Sequence, residues 1–133
     1  MNDRYLYRAK RKNWRELPKE KWWVEGYYAY MQPYNYIMPK DNFDSWIEID
    51  EKTLCACTGL KDKNGKLIWE NEIIKCKRGI AVVVWDKSEW RIKWVKDNIW
   101  RKDLHFWVND ENELGVEVIG NAIDNPELLE VGE

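Results

Sequence analysis

Short alternating stretches of bulky and polar residues run through this chain, and they predict strands. Trp90-Arg91-Ile92-Lys93-Trp94 is the clearest: Trp90, Ile92 and Trp94 fall on one face and Arg91 and Lys93 on the other. Arg4-Tyr5-Leu6-Tyr7-Arg8 alternates in the same way. A basic connector interrupted by Pro18 then leads into Trp22–Tyr30, whose aromatic and β-branched residues favour a pleated backbone. Within it, Gly26 marks a bulge or a close backbone approach. Tyr34–Met38, between Pro33 and Pro39, and Trp46–Ile49 read as short strands, Asp50–Thr53 as one helical turn, and Leu54–Cys57 as a further strand. Ile73–Lys77 turns at Arg78-Gly79 into Ile80–Trp85, which is apolar on both faces and is expected to be the most buried strand. Asp86–Glu89 is a polar turn into Trp90–Trp94.

Asn64-Gly65 predicts a two-residue type I′ turn, because both central positions of that turn need positive φ. The polar approach Lys61-Asp62-Lys63 leaves a longer loop open as the alternative. Further on, Leu104–Val108 packs as a short segment before an acidic loop, and Val116–Ile119 is a last strand. Asn125 caps a final helical turn with Pro126 in its first position, where the missing N–H costs nothing. Short strands, compact turns and a brief terminal helix predict a mainly β fold: an antiparallel sheet or a partly closed SH3-like barrel. A single domain is expected, with residues 1–53 as an N-terminal β extension and 54–133 as the barrel-like core, the barrel itself drawn mainly from 54–121.

Composition changes this picture in one respect. Ten Trp and seven Tyr in 133 residues are more rings than one small core hides, so some are expected at interfaces. Net charge is only -2, but it is unevenly placed. Residues 4–21 hold eight Lys/Arg against Glu16 and Glu20, while residues 109–133 hold eight Asp/Glu and no Lys or Arg. These ends are either solvated faces or complementary surfaces that orient association. Cys55, Cys57 and Cys76 are too few and too irregular for a disulfide framework. With no secretory segment at the start and no apolar run near the ~20 residues of a membrane span, a reduced cytoplasmic protein is expected.

Thr58-Gly59-Leu60-Lys61-Asp62-Lys63-Asn64-Gly65-Lys66, followed by Ile68-Trp69-Glu70, is the most distinctive phrase. Together with Trp23-Val24-Glu25-Gly26-Tyr27, Glu117-Val118-Ile119-Gly120-Asn121 and Asn125-Pro126-Glu127-Leu128-Leu129, it resembles the YopX family of bacteriophage and prophage proteins, from about residue 3 to about residue 130. The resemblance implies phage or prophage origin, a β-rich fold and a cytoplasmic accessory role in a bacterial host cell. It implies no catalytic residue. Where the family commonly reads Glu-Gly-Asp, this chain has Glu70-Asn71-Glu72, and Asn71 tolerates the left-handed backbone that glycine would supply.

Candidate chemistry is sparse. Cys55, Cys57, Cys76 and His105 are a chemically adequate zinc set, but Cys-x-Cys lacks the usual spacing and small thiols explain them as well. His105 beside Phe106 and Trp107 reads as a packed or interface histidine. Asp62, Glu70 and Glu72 either gather at the central turn, around a cation or as paired carboxylates, or serve the turn and its lysines. No serine elbow, phosphate loop or dinucleotide fingerprint is present, so neither an enzyme nor a cofactor is expected. The leading expectation is a non-enzymatic interaction or homo-oligomeric assembly protein, anchored by Trp22, Trp23, Tyr27 and Tyr28, its partner a second copy or a host or phage protein. The second is a nucleic-acid-binding accessory module using Lys10, Arg11 and Lys12.

Overall fold

The structure is a computed structural model describing residues 3–42, 44–109 and 115–130. It is mainly β, built of two antiparallel sheets, as the alternation predicts. The chain divides into two compact units, Met1–Cys57 and Thr58–Glu133. The boundary lies within the strand Cys55–Lys61.

The first unit contains β1 (Tyr7–Lys10), β2 (Trp23–Met31), β3 (Tyr34–Pro39), β4 (Ile47–Glu48) and the start of β5 (Cys55–Lys61). Their order is β4-β3-β2-β1-β5. Register sets the faces: Ala9 opposes Val24, Tyr28 opposes Ile37, and Ile37 opposes Ile47. One side of the sheet therefore carries Ala9, Val24 and Ile37, which bury with Ile49 into a core flanked by Tyr7, Tyr28, Ile47 and Leu54. A bridge between Arg11 and Ile49 ties the end of β1 to the chain just past β4. Gly26 is a close approach: a Cβ there would lie 2.0 Å from the Met38 carbonyl oxygen. The first strand begins later than alternation suggests. Asp3–Tyr5 is a 3-10 turn closed by the Leu6 N–H on the Asp3 carbonyl, and β1 runs through Lys10, a residue whose charge hid its place in a strand. The turn expected at Asp50–Thr53 is present, with Asp50 Oδ1 accepting from the Lys52 N–H at 3.2 Å.

The second unit contains the rest of β5, β6 (Leu67–Trp69), β7 (Glu72–Cys76), β8 (Gly79–Asp86), β9 (Glu89–Trp94), α1 (Leu104–Asn109) and β10 (Glu117–Asn121). Its main sheet has the order β10-β7-β8-β9. Ile74, Ala81, Val83, Ile92 and Trp94 face a core completed by Ile68, Leu104, Trp107 and Val116. Trp94 and Trp107 meet edge to face at 5.4 Å, which fastens α1 to β9. Trp90, Ile92 and Trp94 share the core side, as their spacing predicts.

Of the two forms expected, the structure takes the antiparallel sheet, and the described residues form no closed SH3-like barrel. Beyond β9, Ile92 donates to the Lys102 carbonyl and Arg91 bridges Asp103, so an irregular segment meets that edge. Three expectations are corrected. β8 is not buried on both faces: Ala81 and Val83 are buried, Ile80, Val82 and Val84 are half-buried and Trp85 is exposed. Asn64-Gly65 is not a type I′ turn, because only Gly65 has positive φ, at 81°. That backbone occurs instead at Lys87 and Ser88, with φ of 53° and 63°, in the two-residue connection of β8 to β9. Finally, Asn125 precedes the 3-10 turn Pro126–Leu129 without capping it by its side chain; its Oδ1 accepts from the Asn121 N–H at 3.1 Å instead. Asn71 takes the left-handed backbone expected of it, at φ 70°. The acidic loop expected after Val108 falls on residues 110–114, outside the described residues.

Candidate interaction surface

The distinctive phrase Thr58–Lys66 is a strand followed by a loop. Thr58, Gly59, Leu60 and Lys61 lie in β5, and Thr58 Oγ1 donates to the Ile68 carbonyl at 2.7 Å. Asp62 then organises the loop over Lys63, Asn64, Gly65 and Lys66. Its Oδ1 accepts from the N–H groups of Asn64 and Lys66, each at 2.9 Å, and its Oδ2 from the N–H of Val118 in β10 at 3.0 Å. The Gly65 N–H donates to the Asp62 carbonyl and the Asp62 N–H to the Lys66 carbonyl. This is a type I turn followed by a left-handed glycine, a common three-residue hairpin connection. Asp62 is 6% exposed and all three of these bonds go to backbone, so its carboxylate serves the turn. Glu72 is also buried and accepts from the Trp69 N–H at 2.8 Å; it is neither solvated nor gathered with Asp62 around an ion. Glu70 sits half-buried between β6 and β7.

In the first unit the face opposite the core is aromatic. Register places Trp23, Tyr27 and Met31 of β2 on it with Tyr34, Tyr36 and Met38 of β3. Tyr36 lies 6.4 Å from Tyr34 and 5.7 Å from Trp46 between ring centres, forming a stripe across the strands. Met31 (58%), Tyr34 (49%) and Trp46 (46%) are well exposed. Methionine and aromatic side chains are the types enriched in the buried centres of protein interfaces. Tyr30 is exposed at the same hairpin end.

The anchors expected from sequence are divided by this geometry. Tyr27 lies on the aromatic face. Trp23 shares it but lies under the Arg8 guanidinium, 4.9 Å from the ring centre. Tyr28 points to the core side and donates from its hydroxyl to Asn35 Oδ1. Burial, then the charge of Glu51 and the neighbouring Tyr30 and Tyr7, pushes the Tyr28 phenol above its ordinary pKa. Trp22 is half-buried and donates to the Leu17 carbonyl at 2.9 Å. Met31, Tyr34, Tyr36 and Trp46 were missed. For Met31 the signal was parity, since with Val24 inward every odd position of β2 faces out; Tyr34 and Tyr36 follow only from the register of β3 on β2.

The expected phosphate contacts need a correction too. Lys10 is 2% exposed and sits among tryptophan rings, so it is out of a phosphate's reach. Arg11 and Lys12 line a surface cleft of about 540 Å³ with Lys21, Asn13 and Glu48. Lys12, Arg15, Lys19 and Lys21 are exposed. Arg91 and Lys93 lie on the face opposite Trp90 and Trp94, as the alternation requires.

Cys55, Cys57 and Cys76 are buried thiols and His105 is exposed on α1, its side chain beside Asn109. Among the described residues no group of three or more His, Cys, Asp or Glu is placed to hold a metal ion. Nor is any helix there long and apolar enough to cross a membrane. The second unit has its own exposed rings: Trp85, edge-on to Trp90 at 5.1 Å, and Trp100, with the Arg78 guanidinium 4.0 Å from its centre.

Fold and surface together define a two-sheet β protein with an aromatic patch on one unit and a turn-centred motif on the other. The chain belongs to the YopX family: the family model described as YopX protein matches residues 6–130. No curated protein matches the chain.

Proposed function

We propose that this protein is a non-enzymatic interaction module that assembles with copies of itself through the aromatic face of its first unit. The observation that carries this reading is the stripe Tyr34-Tyr36-Trp46 with Met31 beside it on a sheet face, where Met31, Tyr34 and Trp46 are exposed around a half-buried Tyr36. A second copy is the favoured occupant because the chain carries complementary charge. The connector exposes Lys12, Arg15, Lys19 and Lys21, and residues 117–130 carry Glu117, Asp124, Glu127 and Glu130 with no Lys or Arg. The apolar face supplies affinity, and the charges steer and orient the encounter. Light scattering over a concentration series at low and high salt tests this. Association should survive salt in the native protein and be lost in a Met31→Ser/Tyr34→Ser/Trp46→Ser variant. A native protein that stays monomeric at both salt concentrations refutes the proposal.

The setting we propose is the cytoplasm of a bacterium expressing phage or prophage genes. Its support is the likeness of Thr58–Lys66 and Glu117–Asn121 to the phrases of phage proteins in the family, together with three buried thiols that suit a reducing compartment. Host or phage proteins are then further partners.

One observation favours a second reading, nucleic-acid binding: the cleft lined by Arg11, Lys12 and Lys21, with Arg15 and Lys19 exposed on the same connector. Fluorescence anisotropy with single- and double-stranded DNA and RNA at low salt tests it. Absence of binding there removes it.

A further inference from the structure

Lys10 lies on β1 opposite Trp23 of β2. Its backbone is held on both sides: its N–H donates to Thr53 Oγ1 at 2.7 Å, and its carbonyl accepts from the Asp50 N–H at 2.9 Å. The chain then leaves the sheet and returns to it, closing where the Arg11 N–H donates to the Trp22 carbonyl at 2.8 Å. Two 3-10 turns, Trp14–Glu16 and Lys19–Lys21, fill this excursion. The return brings two indoles over the lysine. The Lys10 Nζ is 3.7 Å from the ring centre of Trp14, 4.2 Å from that of Trp22 and 5.6 Å from that of Trp23.

The rings are held by other bonds. Trp14 Nε1 donates to Asp50 Oδ2 at 3.2 Å, Trp22 Nε1 donates to the Leu17 carbonyl at 2.9 Å, and the two rings meet edge to face at 4.8 Å. Fixing each indole by its N–H turns the electron-rich ring faces to cations, and besides Lys10 the Arg15 guanidinium lies over Trp14 and Lys19 near Trp22. Tryptophan is the strongest of the aromatic cation acceptors, and the attraction grows when water is excluded, as it is around a residue 2% exposed. Several tryptophan faces around one ammonium is the arrangement that selects alkylammonium groups.

We infer that Trp14, Trp22 and Trp23 form an alkylammonium-binding cage that the chain fills with its own Lys10. Occupancy of the cage sets the shape of the 11–22 connector. With Trp14 and Trp22 turned onto the ammonium, the Arg15 guanidinium also lies 4.3 Å from the Trp14 ring centre and Lys19 Nζ 5.8 Å from that of Trp22, while Lys12 and Lys21 are displayed outward. The cage shares Trp23 with the outer face of β2, but Met31, Tyr34, Tyr36 and Trp46 take no part in it.

Two variants test it. Lys10→Ala empties the cage while keeping the walls. Tetramethylammonium should raise the thermal unfolding midpoint of this variant in a saturable way and leave the native protein unmoved. Tert-butanol, a neutral molecule of similar bulk, should not substitute. Lys10→Met keeps the stem and removes the charge. Its amide exchange across residues 11–22 should rise about tenfold or more, the scale of losing a desolvated cation–π contact, with rates in β7 and β8 unchanged. Should Lys10→Ala not fold, the methionine variant decides alone. Native exchange rates in Lys10→Met, equal stabilisation of both proteins by tetramethylammonium, or rescue by tert-butanol would each overturn the inference.

Discussion

Replacing Asp62 tests whether the family phrase is a turn held by one carboxylate. Asp62→Ala removes three charge-assisted bonds, to the N–H groups of Asn64, Lys66 and Val118. Asn64 and Lys66 are exposed, so water replaces two of them, whereas the Val118 N–H sits in a half-buried strand. With bonds to charged groups at about 1.5–3 kcal/mol each, and two of them largely recovered from water, the net loss should be about 2–4 kcal/mol. Asp62→Asn keeps one oxygen for the loop but turns an amide N–H₂ toward the Val118 donor, so about 1–3 kcal/mol is expected. The neighbours give the sharper comparison. A Cβ at Gly65 meets nothing within 4 Å, so Gly65→Ala costs only the left-handed backbone at φ 81°, about 1–2 kcal/mol. Asn64 has no such requirement, and Asn64→Ala should stay within about 0.5 kcal/mol. Urea unfolding followed by tryptophan fluorescence resolves these values, since a slope of about 1–3 kcal/mol per molar turns 3 kcal/mol into a midpoint shift of roughly 1–3 M. Equal losses at Asn64 and Gly65 would restore the type I′ turn and refute this account. So would an Asp62→Ala variant as stable as the native protein.

Three further outcomes follow from single features. Lys87→Asn with Ser88→Gly should stabilise the protein by about 0.5–2 kcal/mol in the same urea assay, because both positions already hold positive φ. Gly26→Ala should unfold the first unit, since its Cβ would lie 2.0 Å from the Met38 carbonyl oxygen; loss of amide protection across β1 to β3 with protection of β7 and β8 retained is the expected readout. Tyr28 supplies a pH dependence: burial and then Glu51, Tyr30 and Tyr7 raise its folded pKa. Its contribution is complete below the unfolded value of about 10 and is lost as pH rises through the higher folded value. The native protein should therefore lose stability relative to Tyr28→Phe only above about pH 10, and parallel decline of the two would count against this assignment.

The strand pattern was legible wherever one face is wet. Trp90–Trp94 could be read because alternation reports directly on such a face, and Tyr34–Met38 because Pro33 and Pro39 bound it. β1 was misplaced for the complementary reason: it buries Lys10, and a buried charge breaks the rule by which strands are read. Turn chemistry misled in a different way. Asn-Gly is a strong local signal for a type I′ turn, but Asp62, two residues before it, captures the loop amides with its side chain and imposes another geometry. Lys87-Ser88 takes the strained backbone with no residue preference announcing it, because the paired strands β8 and β9 impose it from outside. The expected interface anchors divided because a run such as Trp22–Tyr28 names rings without naming faces, and only register assigns them.

Abundance of aromatic rings is by itself poor evidence for docking, and the ten tryptophans show why. Trp69, Trp94 and Trp107 are buried in the second unit. Trp14, Trp22 and Trp23 surround one ammonium in the first, and Trp100 lies beneath Arg78. Rings in these places already have partners, and cutting one away would damage the protein before it affected any association. Trp46 differs: it is 46% exposed and touches a ring, Tyr36, that belongs to an open sheet face. A ring whose loss leaves the core and the Lys10 cage intact is the one whose removal reports on assembly. The variants that separate interaction from folding are therefore Trp46, Tyr34 and Met31, not the longer aromatic run at Trp22–Tyr28.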